Sequence, residues 1–599
     1  MIHRTPDNRQ VAAVLAAIAD LLEILGDESR RAATYRRAGQ AVGAHPEPVA
    51  VLAAQDRLTT IPGVGPTIAA RIQEILATGT CSLLEELRSR VPPGVLDLLQ
   101  LPGVGPRTVH RLYSELGIAG LDDLEEAARA GRLRALPGMG ERRERRLLEE
   151  VAALRRRVLR VPLAAAEAAG LEVLEAAASW PGVQQAALAG SLRRGCDTVG
   201  DIDLVCASTR PREVVEAFCA LPGAAEVVER GAAAAVIRLA GGIRCDLQVA
   251  DPAAWPAALQ YYTGSIRHNE RLTTLAREQG LELGPRGLFK PAGGALLPVR
   301  VPDEEEVYSL LGLPWIPPEL REDAGEVEAA LAGNLPALIA REHIRGELHC
   351  HSNWSDGRAS IEEMHAAAAA AGYEYLAVTD HSPLVVVANG LDADRLRRQV
   401  HVIHELRERL GPPWLLTGVE VDIRGDGSLD LPSDVLAELD VVVASVHSRF
   451  NLKRDEMTRR IIAALEHPHV DILAHPTGRI LGRRDPYEVD IDAVLEAAAR
   501  TGTVVEINAS PERLDLCDVH VRRARELGVL LVINTDAHAP GHFDHLRYGI
   551  TVARRGWVEA GAVINTWPLE RLRAFLSRPK AERAALAAAG HDAGEEDSP

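Results

Sequence analysis

The chain has 599 residues, which at ~150 residues per domain predicts three to five domains. Its 47% hydrophobic and 25% charged residues are typical of soluble globular proteins and exclude a disordered or fibrous chain, and no apolar run reaches the ~18 residues of a membrane span. The net charge is −18, but residues 1–160 carry 23 arginines against 20 acidic residues, so the overall charge does not exclude DNA as a partner.

Two further features concern compartment and chemistry. The polar start, Met1–Gln10, has no apolar signal core, and seven cysteines without framework spacing favour a reducing cytoplasm. Only three of the 67 basic residues are lysines, namely Lys290, Lys453 and Lys580. Any chemistry that needs a lysine amine is therefore restricted to those positions.

A short element recurs three times between residues 58 and 151, within a region 1–160 that is predicted to be all-α. Each copy reads as an apolar helix end, a Pro-Gly-x-Gly turn and an amphipathic helix. The glycines allow positive φ and leave N–H groups bare at the N-terminus of the second helix, which favours a phosphate. One such turn is mostly structural, whereas three indicate binding to the DNA backbone. The turn glycines are Gly63, Gly65, Gly103, Gly105, Gly138 and Gly140.

The middle of the chain changes to strand periodicity. Predicted strands are Gln185–Ala189, Ile202–Ala207, Ala234–Leu239 and Ile243–Val249, with a Gly-Gly turn joining the last two. Residues 251–320 add helices and short strands. A charged helical connector is predicted at Glu319–Arg345.

From Gly346 onward, strand-like runs alternate with helices, which is typical of a parallel α/β barrel. The predicted strands are Tyr375–Thr379, Leu415–Val421, Val441–Val446, Asp471–Ala474, Val504–Asn508 and Leu530–Asn534. After Arg578 the chain is acidic and rich in alanine, and we expect this tail to be frayed.

The run from Gly190 to Leu204 contains the first candidate site. Asp201 and Asp203 are two residues apart at the start of a strand and face the same side, and clustered carboxylates repel unless a cation neutralises them. A pair of Mg²⁺ ions for phosphoryl transfer fits this arrangement, with Asp246 on the paired strand as the third carboxylate. Phosphate contacts are expected from Gly190, Ser191 and Arg194. For an isolated Asp-x-Asp, surface carboxylates on a capped strand would be the better interpretation.

The second candidate site lies among histidines, 15 of 20 of which follow residue 344. A single histidine on a strand is usually a satisfied polar residue, but here such groups follow successive predicted strands, where a barrel gathers its ligands. Imidazoles and carboxylates together suit Zn²⁺, Mn²⁺ or Fe²⁺. The nine candidate ligands are His349, His351, Asp356, His381, Glu420, His447, His475, Asp536 and His538.

The first site resembles the nucleotidyltransferases and, among them, the family X DNA polymerases, whose helix-hairpin-helix elements the N-terminal repeats also resemble. The resemblance spans roughly residues 1–320. It implies that Asp201 and Asp203 bind both metals and that Asp246 binds the catalytic one, which lowers the pKa of the primer 3′-hydroxyl. It further implies nucleotide contacts by Arg160, Tyr261, Tyr262, Gly264 and Asn269, and the tyrosine-glycine segment would favour deoxynucleotides.

The resemblance fails at two positions. Some members of the family form a Schiff base with an abasic sugar through an N-terminal lysine, but Arg71 stands in its place and no lysine precedes Lys290. An arginine stays protonated, so we expect no lysine-based lyase. The arginine that the family uses to check base-pair geometry corresponds to Thr273, with Arg271 nearby.

The second site resembles the PHP (polymerase and histidinol phosphatase) domain, a distorted barrel with up to three metal ions. The resemblance implies one metal at His349, His351, Glu420 and Asp536, a second at Glu420, His447 and His475, and a third at Asp356, His381 and His538. Since all nine positions are filled, we expect an active phosphoesterase with Mn²⁺ or Zn²⁺. Arg479, after His475-Pro476, could contact a phosphate.

Together the two resemblances predict a multidomain chain with an all-α helix-hairpin-helix region, an α+β nucleotidyltransferase core and a C-terminal distorted (β/α)7 PHP barrel. The expected domains are a helical domain with the first hairpin at 1–85, a fingers-like domain with two more at 86–160, a palm at 161–250, a thumb-like subdomain at 251–320, a linker at 321–343, the PHP phosphoesterase at 344–578 and the tail at 579–599.

The expected function is a repair DNA polymerase that fills short gaps, with a 3′–5′ exonuclease in the PHP domain. Abasic-site cleavage and 3′-end trimming are further activities expected of the same phosphoesterase site. Gapped or primed DNA and dNTPs would be its partners, as a cytoplasmic, nucleoid-associated monomer without a membrane. One alternative is a small-molecule phosphatase, of the histidinol-phosphate type, fused to a relict polymerase. Another is a non-catalytic scaffold that binds DNA ends, although idle clustered carboxylates would be costly.

Overall fold

The computed structural model describes residues 8–26, 30–43, 45, 47–78, 80–101, 103–158, 160–292 and 295–592. Residues 1–7 of the polar start, Pro102 of the second turn and residues 593–599 of the predicted tail lie outside the described residues. The chain forms two compact units, Met1–Leu159 and Arg160–Pro599. Within the described part, no helix combines the length and the apolar character that crossing a membrane requires.

The first unit is all-α, as the sequence predicts. Its helices are α1 (Asn8–Ile24), α2 (Arg30–Gly43), α3 (Val49–Ala54), α4 (Pro66–Thr78), α5 (Ser82–Ser89), α6 (Pro93–Asp97), α7 (Pro106–Leu116), α8 (Leu121–Arg129) and α9 (Glu141–Val158). Short 3₁₀ helices at Leu58–Thr60, Leu98–Gln100 and Arg132–Ala135 precede the three glycine turns. The helices pack around fully buried side chains such as Leu15, Ile72 and Val109.

The second unit begins with a five-stranded sheet. Its elements are β1 (Val161–Pro162), α10 (Leu163–Ala177), β2 (Val183–Leu188), α11 (Gly190–Arg193), β3 (Thr198–Val199), β4 (Asp201–Ser208), α12 (Pro211–Cys219), β5 (Ala224–Arg230), β6 (Ala234–Leu239) and β7 (Arg244–Ala250). The strand order is β2-β4-β7-β6-β5, with β4 and β7 parallel, while β1 and β3 form a separate pair. The edge strand β5 was not predicted, because it is mostly exposed and lacks the apolar alternation of a half-buried strand.

The next segment contains the helices α13 (Trp255–Thr263), α14 (Ile266–Glu278), α15 (Glu304–Ser309) and α16 (Glu326–Leu331) and the three-stranded sheet of β8 (Glu282–Gly284), β9 (Gly287–Ala292) and β10 (Ala295–Pro298). The connector predicted as a charged helix at Glu319–Arg345 differs in the structure. Between the 3₁₀ turns Pro318–Leu320 and Arg341–His343 it has a single short α-helix, α16, and Arg321 and Glu326 are buried. Ion pairs with Glu304 and His268, respectively, compensate their burial.

The last part is a seven-stranded, all-parallel barrel, as predicted. Its strands follow chain order as β11 (Gly346–Cys350), β12 (Tyr375–Val378), β13 (Trp414–Asp422), β14 (Val441–Ser445), β15 (Ile472–Leu473), β16 (Val504–Asn508) and β17 (Leu531–Asn534). A parallel bridge between Cys350 and Ala537 brings the first and last strands together. The strands are apolar runs buried along their length, as expected where helices cover a parallel sheet.

Helices surround the barrel: α17 (Ile361–Ala370), α18 (Ala393–Leu410), α19 (Ser433–Leu436), α20 (Arg454–Leu465), α21 (Ile491–Thr501), α22 (Asp518–Glu526), α23 (Leu546–Arg555), α24 (Leu569–Leu576) and α25 (Lys580–Asp592). The frayed tail expected after Arg578 is instead helical as far as Asp592. The reason is that Lys580 and Arg583 are anchored in the barrel, where Lys580 Nζ donates to Oγ1 of Thr503 at 2.8 Å and Arg583 pairs with Asp471.

Candidate functional site

The three glycine turns of the first unit have a common backbone geometry. Gly63, Gly103 and Gly138 have φ of +85°, +72° and +81°. A Cβ built on Gly65, Gly105, Gly138 or Gly140 would meet nothing within 4 Å, so the described structure leaves these turns accessible. Each turn leads directly into a helix, α4, α7 or α9, as an anion nest requires.

The second and third turns are bridged by arginines from each other's helices. Arg143 of α9 donates to the carbonyl oxygen of Gly103 at 3.1 Å, and Arg111 of α7 donates to that of Pro137 at 3.0 Å. The two turns are thus held together as one pair.

The predicted carboxylates of the second unit lie on neighbouring strands. In the parallel pair β4–β7, Asp203 is opposite Asp246 and Asp201 is opposite Arg244. Arg244 donates to both carboxylate oxygens of Asp246 at 2.7 Å. The pairing of β4 with the strand of Asp246 therefore brings all three acidic groups to one end of the sheet.

These carboxylates fit a divalent metal site. Burial, and then the charges of Asp201 and Asp246, raise the pKa of Asp203 to about 7. Burial and Asp246 also raise the pKa of Asp201. A divalent cation would supply the positive charge that allows these groups to be ionised together at neutral pH, and carboxylate oxygens are the donors that Mg²⁺ prefers.

The adjoining loop is shaped around Asp203. Gly190 has φ of +59°, and a Cβ on it would lie 1.8 Å from Oδ2 of Asp203. The backbone N–H of Ala189 donates to the carbonyl oxygen of Asp203 at 2.8 Å. The glycine of the Gly-Ser pair is therefore required for the close approach of the loop to the carboxylate.

A cleft of about 1030 Å³ opens beside Asp201 and Asp203, which both line it. The structure brings every predicted nucleotide-contacting residue to this cleft. Its walls include Arg160, Gly190, Ser191, Arg194, Tyr261, Tyr262, Gly264 and Asn269. Thr273 also lines the cleft, as does Arg277 one helical turn later.

Several of these side chains are already held in place. Arg160 donates to Oγ1 and to the carbonyl oxygen of Thr198. Asn269 is buried, its Nδ2 donates to the carbonyl oxygen of Tyr261 at 2.7 Å, and its Oδ1 accepts from Gln260 at 3.0 Å. The polar atoms of Asn269 thus bond within the protein while the residue borders the cleft.

One buried ion-pair network behind the cleft was missed in the sequence. Arg193 donates to both oxygens of Glu304 at 2.9 and 2.8 Å, and the fully buried Arg321 donates to Oε1 at 2.6 Å. Burial alone would raise the pKa of Glu304, but Arg321 and Arg193 outweigh it and lower this pKa to about 2. Glu304 lies in a run of three glutamates that looks like a solvated helix start, so nothing in the pattern distinguishes it.

All nine predicted ligands of the barrel converge at the carboxyl ends of its strands. The structure groups His351, Asp356, His381 and His538, then His349, His351 and Asp536, and finally His381, Glu420 and His447, with the ligand atoms of each group within 4.8 Å of one another. His475 joins through Nε2, which is 2.9 Å from Oε1 of Glu420.

These groups contain residues of the expected ligand sets in different combinations, so the sets adjoin one another. Oε2 of Glu420 lies 3.5 Å from Nε2 of His349 and 3.6 Å from Nε2 of His351, so it adjoins the first set as well as the second. His351 and His381 each belong to two groups. The three predicted sets therefore form one continuous cluster.

Buried polar atoms without a partner show that this cluster fits metal ions. Among the described residues, ring nitrogens with no hydrogen-bond partner include His349 Nε2, His351 Nδ1 and His475 Nδ1. Other imidazoles of the cluster lie close to carboxylates, with His381 Nδ1 2.8 Å from Glu420 Oε2 and His351 Nε2 3.1 Å from Asp536 Oδ1. Unsatisfied buried polar groups are costly, and several at one point indicate a missing ligand. Mixed imidazole and carboxylate donors suit Zn²⁺, Mn²⁺ or Fe²⁺.

The charges of the cluster are strongly coupled. Burial would raise the pKa of Glu420, but the imidazoles of His381, His447 and His349 lower it well below its usual range. Burial and the neighbouring His538 and His381 lower the pKa of His351 to about 4, which leaves this imidazole neutral and available as a ligand.

Glu506, a carboxylate next to the cluster, is another supporting residue that the sequence does not predict. Glu506 of β16 is fully buried, and its Oε1 lies 2.7 Å from Nδ1 of His349. Its Oε2 accepts from the backbone N–H of His475 at 2.9 Å and from Asn508 at 3.1 Å. A carboxylate that orients a ligating imidazole is a common partner of metal sites. The signal was a single glutamate inside the apolar strand Val504–Asn508.

Arg479 has protein partners instead of an open phosphate site. Its Nη1 donates to Oδ2 of Asp197 at 2.9 Å, and its other nitrogens donate to the carbonyl oxygens of Arg513 and Leu514. The side chain is only 11% exposed. In place of the phosphate contact predicted for Arg479, the structure shows an ion pair with Asp197, which follows α11 beside the cleft.

Comparison with known proteins agrees with both sites. The DNA polymerase beta thumb matches residues 258–322, the helix-hairpin-helix domain residues 6–81, the SAM-like helix-hairpin-helix tandem residues 95–153 and the PHP domain residues 347–510. The DNA polymerase/3'-5' exonuclease PolX of Bacillus subtilis is 38% identical over 572 residues, covering 95% of this chain and 99% of that protein. The chain belongs to the bacterial family X DNA polymerases with a PHP domain.

Similarity to other proteins covers a smaller part of this family X polymerase. A probable phosphatase of Thermoanaerobacter sp. is 30% identical over 219 residues, which is 35% of this chain and 84% of that protein. A probable phosphatase of Caldanaerobacter subterraneus subsp. tengcongensis is 31% identical over 191 residues, or 29% of this chain and 68% of that protein. Polymerase and PHP chemistry both depend on metal ions, so this is a metal-dependent enzyme.

Proposed function

We propose that this family X polymerase fills short gaps during DNA repair and shortens 3′ ends in its PHP domain. By family it is an enzyme, a DNA polymerase with a 3′–5′ exonuclease, and its substrates are DNA and deoxynucleoside triphosphates. The observation that carries the proposal is the presence of two complete sets of metal-ligating side chains. One is the carboxylate triad on β4 and β7, and the other is the nine-residue cluster of the barrel.

In the polymerase site, Asp201, Asp203 and Asp246 would hold Mg²⁺, which would supply the positive charge that makes the primer 3′-hydroxyl more acidic and stabilises charge on the phosphate. The loop at Gly190-Ser191 presents N–H groups and a hydroxyl to the triphosphate, and Arg194 and Arg160 add positive charge. Tyr261, Tyr262, Gly264 and Asn269 line the cleft, where the first three would border the sugar and Asn269 the base pair.

In the PHP site, the nine candidate ligands would hold up to three Mn²⁺ or Zn²⁺ ions, which would supply Lewis acidity for the activation of water and the binding of a phosphate group. Glu506 fixes the ring of His349, so that its Nε2 faces the cluster. Asp536 and His475 have φ of +52° and +29°, a strained backbone of the kind found where geometry serves a site.

The finer activities follow from the same groups. The hairpin glycines would hold the DNA backbone on either side of a gap, and cleavage at abasic sites or trimming of blocked 3′ ends would use the PHP cluster. Arg71 donates to Glu74 and Ser82 at 2.9 and 2.7 Å, and as a protonated guanidinium it would not form a Schiff base. We further propose a monomer located in the cytoplasm at the nucleoid, with the domain boundaries given above.

The test uses a labelled primer on a duplex with a one-nucleotide gap, in Mn²⁺, with and without dNTPs. The wild-type chain should add one nucleotide with dNTPs and shorten the primer without them. His349→Ala should retain extension and lose shortening, because it removes a ligand of the barrel only. A recessed primer without a downstream strand should be extended less well than the gap.

Other outcomes would support the alternatives. If the primer is never shortened but small phosphate monoesters are hydrolysed, the barrel is a small-molecule phosphatase. If the chain binds DNA ends equally well in EDTA and shows neither activity in Mn²⁺ or Mg²⁺, it is a scaffold. Simultaneous loss of extension and shortening in His349→Ala would contradict two separate sites.

A further inference from the structure

The segment Gly190–Asp197, which consists of the short helix α11 and the residues after it, is named the nucleotide loop. It packs directly against the barrel. Gly195 in this loop has φ of +67°, and a Cβ on it would lie 2.1 Å from Cγ2 of Thr551 on α23. The same loop carries Ser191 and Arg194 on its cleft side. One face of the loop thus belongs to the polymerase cleft and the other to the PHP domain.

Arg555, the last residue of α23, is bonded to this loop. Its Nη1 donates to the carbonyl oxygen of Arg194 at 2.8 Å and to Oε1 of Glu322 at 3.0 Å. Its Nε donates to Oδ2 of Asp518 at 2.8 Å, which fixes the plane of the guanidinium. Since the Arg555 side chain is only 9% exposed, solvent screens these contacts little.

Glu322 connects Arg555 to the side chain of Arg194. The Oε1 atom that accepts from Arg555 also accepts from Nε of Arg194 at 2.9 Å, and Nη1 of Arg194 donates to the carbonyl oxygen of Thr263 at 2.7 Å. Burial would raise the pKa of Glu322, but Arg194 and Arg555 lower it, which favours the ionised form. Arg194 is therefore held through both its backbone and its guanidinium.

The far end of the nucleotide loop has a second anchor from the barrel. Arg479 donates to Oδ2 of Asp197 at 2.9 Å and also to the carbonyl oxygens of Arg513 and Leu514. The loop is thus fixed at Arg194 and at Asp197 by two arginines of the PHP domain. Neither anchor is available to a polymerase core without this barrel.

We propose that the PHP domain completes the polymerase centre, with Arg555 as a positioning residue that orients Arg194 toward the triphosphate of the incoming nucleotide. The inference rests on the proposed role of the cleft in nucleotide binding. An arginine held in place before binding loses less conformational freedom when the nucleotide arrives. A triphosphate contact made in both the ground state and the transition state changes KM and leaves kcat nearly constant.

The experiment is steady-state insertion of one nucleotide into a one-nucleotide gap by the full chain, at varied dNTP concentration. Arg555→Ala should raise the KM for dNTP about 10-fold, with kcat changed less than about threefold. Arg555→Lys keeps the charge near Glu322 and should recover part of the loss. The matched control is Arg547→Ala, which removes a different ion pair across the domains, 2.9 Å to Glu167, outside the cleft lining.

A second variant tests the route through Glu322. Glu322→Gln should raise KM to a similar extent, and Arg555→Ala combined with it should add little, because both changes break one connection. The inference is overturned if Arg555→Ala leaves KM within twofold of wild type, or if Arg547→Ala raises it equally. It is also overturned if exonuclease activity falls in parallel with insertion. A wild-type chain that never extends the primer would overturn the proposed function as well.

Discussion

The two candidate metal centres of this chain differ in the chemistry of their ligands and in the burial of those ligands. The polymerase triad uses three aspartates on two neighbouring strands beside an open cleft, and Asp201 and Asp203 are only partly buried. The PHP cluster gathers nine candidate ligands from around a barrel, and His349, His351 and Glu420 are at most 1% exposed. An open oxygen site suits weakly held, hydrated Mg²⁺, whereas enclosed imidazoles suit more firmly bound transition metals.

The two centres also differ in the residues that hold their candidate ligands in position. Glu506 bonds directly to a ligand of the barrel, Nδ1 of His349. In the polymerase centre Arg244 bonds directly to Asp246, and the neighbouring loop is held by the contact of Gly190 with Asp203 and by the pairing of Arg193 with Glu304. Glu304 also pairs with Arg321. Substitution of Glu506 should therefore lower the metal affinity of the barrel. Substitution of Glu304 should lower the stability of the fold around the loop.

The largest effect that separates the centres is expected for Asp203→Asn. Loss of one of three carboxylates should lower nucleotide insertion by about 10³-fold or more, because the metal ions activate and clamp the reacting oxygens. Exonuclease activity of the same preparation should be unchanged, which makes it the internal control. Primer extension and primer shortening on one labelled substrate measure both. Extension at the wild-type rate would remove Asp203 from the centre.

A smaller effect is expected for Glu304→Gln, which tests how much the negative charge of Glu304 stabilises the fold. The pKa of Glu304 is lowered from 4.5 to about 2, so its ionised form contributes stability that is complete above about pH 4.5 and is lost as pH falls toward 2. Removing the charge leaves Arg321 buried without a full partner, and the free energy of unfolding at pH 7 should fall by about 3 kcal/mol.

Denaturant unfolding of the full chain at several pH values measures this change. The difference between wild type and Glu304→Gln should shrink as pH falls from about 4.5 toward 2, because Glu304 is protonated first in the unfolded chain while it stays ionised in the folded protein. The neighbouring exposed Glu305→Gln is the matched control and should change stability by less than about 0.5 kcal/mol. A difference that does not vary with pH would mean that packing, and not charge, makes Glu304 important.

The sequence predicts which candidate ligands come together at each centre, because chemistry and spacing coincide there. Asp201 and Asp203 alternate on a strand, and the barrel ligands follow strand ends, so local pattern and tertiary position are linked. The barrel strands were also predicted within a few residues, since they are continuous apolar runs. Strand β5 was missed because its exposed residues carry no periodic signal.

The supporting residues could not be predicted in the same way. Glu304, Arg321 and Glu322 lie in charged segments that look solvated, and only the fold shows that they are buried or bonded across domains. The contact of Arg555 with Arg194 joins positions 361 residues apart, for which one sequence without relatives gives no signal. Arg479 was assigned to a phosphate because its true partner, Asp197, lies in another domain.

The smallest expected effect, and the sharpest test of how the centres differ, is Glu506→Gln. The amide keeps the size of the side chain but loses the negative charge that orients His349 and raises its basicity as a ligand, so we expect metal affinity of the barrel to fall about 10- to 100-fold. Exonuclease activity should then return at high Mn²⁺, while nucleotide insertion stays unchanged throughout. Metal titration of both activities measures this, with the exposed Glu496→Gln as control. If added Mn²⁺ fails to restore the nuclease, Glu506 stabilises the fold of the barrel and does not tune the affinity of its metal site. Glu506 would then have the same kind of role as Glu304, which is expected to stabilise the fold beside the cleft.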